Sequence, residues 1–128
     1  MARKRTFISF DYDHDVASKN LLVGQARLSD SPFEITDMSI KEAVVSGWQN
    51  DARTRIKGCD VVIVLCGDHT NTARGVSIEL NIAKEEGIPY FLLAIPKTSW
   101  RKPTAASSTD EIYTWNWENL TALIHGRR

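Results

Sequence analysis

The chain has no apolar run approaching the ~20 residues that a membrane-crossing helix needs, and no apolar segment of the secretory type follows its basic MARKR start. Together these absences lead to the expectation of a cytoplasmic protein without a membrane partner, its basic start being a solvated terminus. Charge of one sign is also missing. Sixteen Lys and Arg stand against sixteen Asp and Glu, so no net field draws the chain to nucleic acid. Cysteine is scarce: Cys59 and Cys66 flank one apolar run. If that run is extended at ~3.3 Å per residue the two are roughly 23 Å apart, against a limit of ~7 Å for a disulfide. Both therefore read as reduced core thiols, in keeping with a cytosolic location. Cys66 and His69 find no further ligands at a recognisable spacing, so no metal site is expected. Neither GxGxxG nor GxxxxGK[ST] occurs, which removes a Rossmann cofactor site and a P-loop.

What is present is an alternation of apolar runs and amphipathic segments over residues 1–128, with 42% apolar content. That is enough for one domain with a substantial core, and no repeat, linker or second domain is visible. TFISF reads as a strand that ends in the acidic loop DYDHD. A helix follows from Val16 to about Leu28, with Asp15 as N-cap and Ala17, Leu21, Val23 and Leu28 among its apolar positions. The SDSP cluster stops it, and FEITD forms a second strand. The stretch DMSIKEAVVSG fits no element clearly. Trp48, Ala52 and Ile56 then recur at helical spacing, with Trp48 expected in the core and Gly58 ending the helix. DVVIVLC is apolar throughout, as in a central parallel strand covered on both faces. The polar loop GDHTNT leads into a helix with Val76, Ile78, Leu80, Ile82 and Ala83 on a broad apolar face, closed by Gly87. PYFLLAI is a further buried strand; a Pro/Ser/Thr-rich loop, EIYTW and a last amphipathic helix around Trp117, Leu120, Leu123 and Ile124 complete the chain, with Trp115 and Trp117 as its anchors.

Such alternation predicts right-handed βαβ crossovers and a three-layer α/β fold, flavodoxin-like in outline, with a central parallel sheet of about five strands flanked by helices. In open sheets of this kind ligands sit outside the carboxyl ends of the strands. Glu79, near the start of the helix after the third strand, is the acid placed there. Free N–H groups at that helix start, with Asn71 and Thr72 as caps, would favour a phosphate. Arg74 beside them would contact a phosphate or face solvent.

Three segments in order, FISFDYDHD, the helix ending in RIKGCDVVIVLCG, and Glu79-Leu80 followed by Ala83 and Gly87-Ile88-Pro89, resemble a TIR-like domain over about residues 5 to 96. The closest branch is the stand-alone bacterial TIR-like proteins, including those of the Thoeris anti-phage system. The resemblance implies a TIR-like variant of the fold just derived. It also implies an enzyme that takes NAD as substrate, not as cofactor, releasing nicotinamide and making a cyclic or otherwise modified ADP-ribose signal. Glu79 matches the family's catalytic acid, and Ser9, Phe10, Asp11 and Tyr12 match its substrate-lining loop. Many enzymatic members carry Trp four residues before the acid, where this chain has Gly75.

Chemistry permits a single acid to suffice. Ordinary glycoside hydrolysis needs two carboxyl groups, one to protonate the leaving oxygen. Nicotinamide in NAD is already cationic and leaves neutral, so one carboxylate that steadies the developing oxocarbenium ion, orients a hydroxyl or bonds to the sugar transiently is enough. Each candidate also has an ordinary alternative. Glu79 fits a solvated position at the margin of an apolar face, Asp11 and Asp13 fit turn and cap roles, and Phe10 fits the core, whereas Tyr12 is a candidate for stacking on a base or nicotinamide. His14 and His69 read as loop histidines at one sheet edge, and Asp37 and Ser39 as residues bordering the cleft. Two further functions stay open: a non-catalytic module that assembles with copies of itself or with another TIR or effector protein, and a nucleoside deoxyribosyltransferase-like enzyme.

Overall fold

Five strands, all parallel, form the sheet in the computed structural model, which describes residues 3–39 and 48–126. Strand β1 spans Lys4–Ser9, β2 Phe33–Met38, β3 Val61–Cys66, β4 Tyr90–Ala94 and β5 Ile112–Thr114. Their spatial order is β2-β1-β3-β4-β5. Helix α1 spans Val16–Ala26, α2 Trp48–Lys57, α3 Arg74–Glu85 and α4 Trp117–Ile124, and a 3-10 turn covers Thr70–Thr72 before α3.

Every residue of β3 is buried, and alternate residues supply the two cores. Val61, Ile63 and Leu65 face the layer containing Leu22 and Ala26 of α1 and Leu120, Leu123 and Ile124 of α4. Val62, Val64 and Cys66 face Ala52 and Ile56 of α2 and Val76, Leu80 and Ala83 of α3. The chain thus satisfies on both sides the demand that a continuously apolar strand makes. Both cysteines are free and buried, and burial pushes their thiols up to about 11 for Cys59 and about 12 for Cys66.

The link from β4 to β5 has no helix. A parallel pair still requires a crossover, and residues 95–111 supply it as a strap over α3. Ser77 Oγ lies 2.9 Å from Thr104 Oγ1, Lys84 Nζ donates to Ala105 O at 2.6 Å, and Tyr90 OH donates to Asp110 at 2.9 Å. Ala105 and Ala106 pack on the core beneath. On the opposite face Trp115 Nε1 donates to Gln25 Oε1 at 2.9 Å, joining the approach to α4 to α1. Trp117 is half-buried against the same core.

The structure corrects the reading of α1. Its buried positions are Leu22 and Ala26, whereas Leu21 and Leu28 are exposed. The helix ends at Ala26 because Arg27 and Leu28 donate to carbonyls three residues back, tightening the last turn. Asp15 holds the N-cap position without a side-chain capping bond. Helix α2 starts at Trp48, whose side chain lies outside the described residues, as does the unassigned stretch from residue 40 to 47. Gly87, at φ 69°, closes α3 as expected.

Two neighbouring leucines test this orientation. Leu22→Ala should cost about 2–5 kcal/mol, as a buried leucine does, while Leu21→Ala should stay within about 0.5 kcal/mol of the native chain. Urea unfolding curves measure both; equal losses would contradict the face described for α1.

Candidate active site

Helix α3 buries Val76, Glu79, Leu80, Ile82 and Ala83. Glu79 therefore stands in the apolar stripe itself, three residues after Val76 and four before Ala83, in the first half of a helix that starts at the carboxyl end of the sheet. Only 4% of the residue is exposed. A carboxyl group there needs partners, since an unpaired buried acid is costly. Two hydroxyls supply them: Ser9 Oγ donates to Glu79 Oε1 at 2.7 Å, and Ser39 Oγ donates to the same oxygen in a short bond.

Backbone geometry directs both donors. Ser9 is the last residue of β1 and fully buried. Ser39 follows β2, and its N–H donates to Ile8 O at 2.8 Å, extending the β1–β2 ladder by one step. Its Oγ accepts the Phe10 N–H at 3.1 Å, leaving its own proton for Glu79. Both hydroxyls reach Oε1, so Oε2 receives neither.

A register irregularity makes this possible. Thr6 pairs with Ile35, yet Phe7 pairs with Asp37, so Thr36 is an extra residue on β2. An inserted residue reverses the facing of all that follow it. Ile35 and Met38 consequently pack on the same core, while Asp37 and Ser39 turn to the α2–α3 side. Asp37 Oδ1 there meets Arg55 of α2 at 3.2 Å, and Arg55 also reaches Asp51 at 3.1 Å.

Burial dominates the electrostatics of Glu79 and lifts its carboxyl from 4.5 to about 7. The hydroxyls of Ser39 and Ser9 and the Arg55 guanidinium act in the opposite direction by favouring the charged form, and Asp37 adds to the rise. The result is an acid that changes charge near neutrality, the property expected of a group used in chemistry.

The other residues singled out from sequence divide. Phe10 is a core residue, 2% exposed and packed among the α1-side apolar residues. Ser9 is likewise buried and supports Glu79. Tyr12 is exposed, its ring 5.8 Å from that of Phe10. Asp11 is buried and binds His14 Nδ1 at 2.7 Å, which raises the histidine above its ordinary value. Asn71 and Thr72 are corrected as caps. They belong to the 3-10 turn, Ala73 is the N-cap of α3, and no side chain caps that helix. Asn71, Thr72 and Arg74 all lie on the surface. Arg55 and Ser39 complete the Glu79 environment. Ser39 had a signal in its place just after a strand, but Arg55 had none, because its link to the site runs through the β2 irregularity.

A second cluster bridges the loops after β1 and β3. The rings of His14 and His69 stack at 3.9 Å. Asp15 lies beneath them with Oδ2 buried and unpartnered, and desolvation followed by the Asp11 charge raises its carboxyl. Gly67 is required here, because a Cβ at that position would lie 2.9 Å from both Asp15 oxygens. Among the described residues no group of three or more His, Cys, Asp or Glu is placed to hold a metal ion. Two open clefts are formed by described residues, one between β4, β5 and α4, lined by Tyr90, Asp110 and Tyr113, and one between α2 and α3, lined by Arg53, Asn81 and Glu85.

The family model described as the Thoeris protein ThsB, TIR-like domain, matches residues 7–99. That span contains the second half of β1 from Phe7, the extra residue of β2, Arg55 and Glu79. No curated protein matches the chain.

The carboxyl shift has a signed consequence. Between 4.5 and about 7 the folded chain holds a proton on Glu79 that the unfolded chain has released. The group's contribution to stability is therefore full at low pH and declines as pH rises through 7, by about 3 kcal/mol in all. Glu79→Gln, which keeps the shape and removes the charge, should be about as stable as the native chain at pH 5 and clearly more stable at pH 8. Urea unfolding at the two pH values measures the difference, and a gap that does not widen with pH would show that Glu79 is not desolvated as described.

Proposed function

The chain belongs to the TIR-like domain family of the Thoeris protein ThsB, and we propose that it cleaves the bond between nicotinamide and ribose in NAD to make a cyclic or related ADP-ribose signal in anti-phage defence. The observation that carries this reading is the Glu79 carboxyl, buried at the carboxyl end of the sheet, poised near neutrality and held at Oε1 by two hydroxyls. When the C1′–N bond breaks, its electron pair goes to the pyridinium nitrogen and nicotinamide departs neutral. Positive charge develops on the ribose, and the carboxylate stabilises it in a setting where water screens little. Water, or a nucleophile within the same ADP-ribose, then closes the reaction.

The 4% exposure of Glu79 suits a resting form. An NAD consumer that ran unchecked would deplete the cell, and here the sugar reaches the carboxyl only when its surroundings move. Activation by assembly, with further copies or with another TIR or effector protein, would supply that movement in the cytoplasm.

The same burial favours a second reading, in which the domain acts by assembly alone and Glu79 is a structural acid. A stable complex with a partner, unaltered by Glu79→Gln in a chain that never releases nicotinamide, would establish it.

Nicotinamide release from NAD, measured with the chain alone and with an extract of phage-infected cells, tests the enzymatic reading. Release is expected with the extract, and Glu79→Gln should lower it by at least about 100-fold. Turnover indifferent to that change sinks the proposal. Since the carboxylate is the working form, the rate should rise through pH 7. Ser39→Ala removes a hydroxyl that favours the charged form, so its pH–rate midpoint should move upward; a midpoint that stays in place or falls would exclude Glu79 as the titrating group.

A further inference from the structure

The strap after β4 opens with a basic segment that carries an exposed tryptophan. Residues 96–103, PKTSWRKP, carry Lys97, Arg101 and Lys102 and no acid. Trp100 at their centre is 49% exposed, an unusual position for the largest apolar side chain. Its backbone is left-handed, at φ 51°, as is that of Lys97 at φ 66°. Two non-glycine residues in that conformation within four positions are strained, and such strain persists only where the surroundings enforce it.

The surroundings do so here. Ile95 O accepts both the Trp100 indole N–H at 3.0 Å and the Thr98 hydroxyl at 2.8 Å, and the Thr98 oxygen in turn accepts the Trp100 N–H at 3.3 Å. Ser99 N donates to Asp68 Oδ1 at 2.6 Å and Arg101 N to Gly67 O at 2.9 Å, which fastens the turn to the loop after β3. The indole is thus anchored by its polar atom, leaving an apolar ring for contact. It stands at the carboxyl end of β4, two strands from Ser9, on the sheet edge where Glu79 lies.

We propose that Trp100, with Lys97, Arg101 and Lys102, is a seat for a nucleotide: the ring stacks on a base and the three cations meet its phosphates. An immobilised aromatic ring with three basic residues within three positions of it in sequence, one of them (Lys102) reaching Ser108 O at 3.5 Å, has the chemistry that binds bases and phosphates together. Insofar as the seat serves the NAD reading, it holds the half of the dinucleotide that does not react. Binding of a nucleotide does not itself require that reading. Trp100 also lies outside the span matched by the family model, which ends at residue 99.

ADP is the probe, because it contains base and phosphates but no nicotinamide bond; the result is then independent of whether the chain cleaves NAD. Calorimetric titration of the native chain should give saturable binding that weakens with added salt. Trp100→Ala should weaken ADP binding by about tenfold or more, whereas Trp100→Phe, which keeps a ring, should retain most of the affinity. Ribose 5-phosphate, lacking the base, should bind equally to the native and Ala chains. The Lys97→Gln/Arg101→Gln/Lys102→Gln variant should weaken both ligands and flatten the salt dependence. Thermal melts of each variant confirm that it is folded. The proposal is overturned if the native chain does not bind ADP or if folded Trp100→Ala binds it as the native chain does. It is equally overturned if a single-stranded oligonucleotide is strongly preferred over ADP, or if Trp100→Ala alters only sedimentation, which would make the ring a protein contact.

Discussion

A carboxyl group in the apolar stripe of a helix is the constraint around which the carboxyl end of this sheet is arranged. Glu79 occupies a position where every geometric neighbour in the stripe is aliphatic or alanine. Left alone it would cost several kcal/mol, or remain protonated at all ordinary pH values. Ser9 and Ser39 reduce that cost without abolishing it, and the residue is left titrating near neutrality.

The two hydroxyls come from different strands, and that ties local detail to topology. β1 and β2 must be parallel neighbours and must end level with the start of α3, or no pair of serines would meet one carboxyl oxygen. The extra residue in β2 completes the requirement by turning Asp37 and Ser39 away from the α1 side. It also brings Asp37 to Arg55, so the guanidinium that steadies the Glu79 charge is held by the strand that supplies one of the hydroxyls. A single inserted residue thereby sets both the hydrogen bonding and the local field.

Across the sheet edge, loops from different strands are fastened to one another. Asp11, His14, Asp15 and His69 join the loops after β1 and β3, and Ser99 and Arg101 join the strap after β4 to the loop after β3. The ends of β1, β3 and β4 are consequently coupled through side chains and backbone, not merely adjacent.

Much of the fold was legible in the residue pattern, because hydrophobic periodicity reports which faces must be buried. The unbroken apolar run of β3, the face of α3 and the glycine that closes it could be read directly, and so could the alternation that makes the sheet parallel. Periodicity misjudged α1, where adjacent Leu21 and Leu22 offer equal hydrophobicity and only packing against β2 and α4 distinguishes them. The sequence by itself determined that the chain is an α/β domain of the TIR-like family with one acid in the first half of its third helix. Tertiary structure alone decided that this acid points inward, that serines thirty residues apart share its oxygen, and that Phe10 belongs to the core. The physical reason is that a strand irregularity reverses the facing of later side chains, and nothing in the neighbouring residue types reports where it falls.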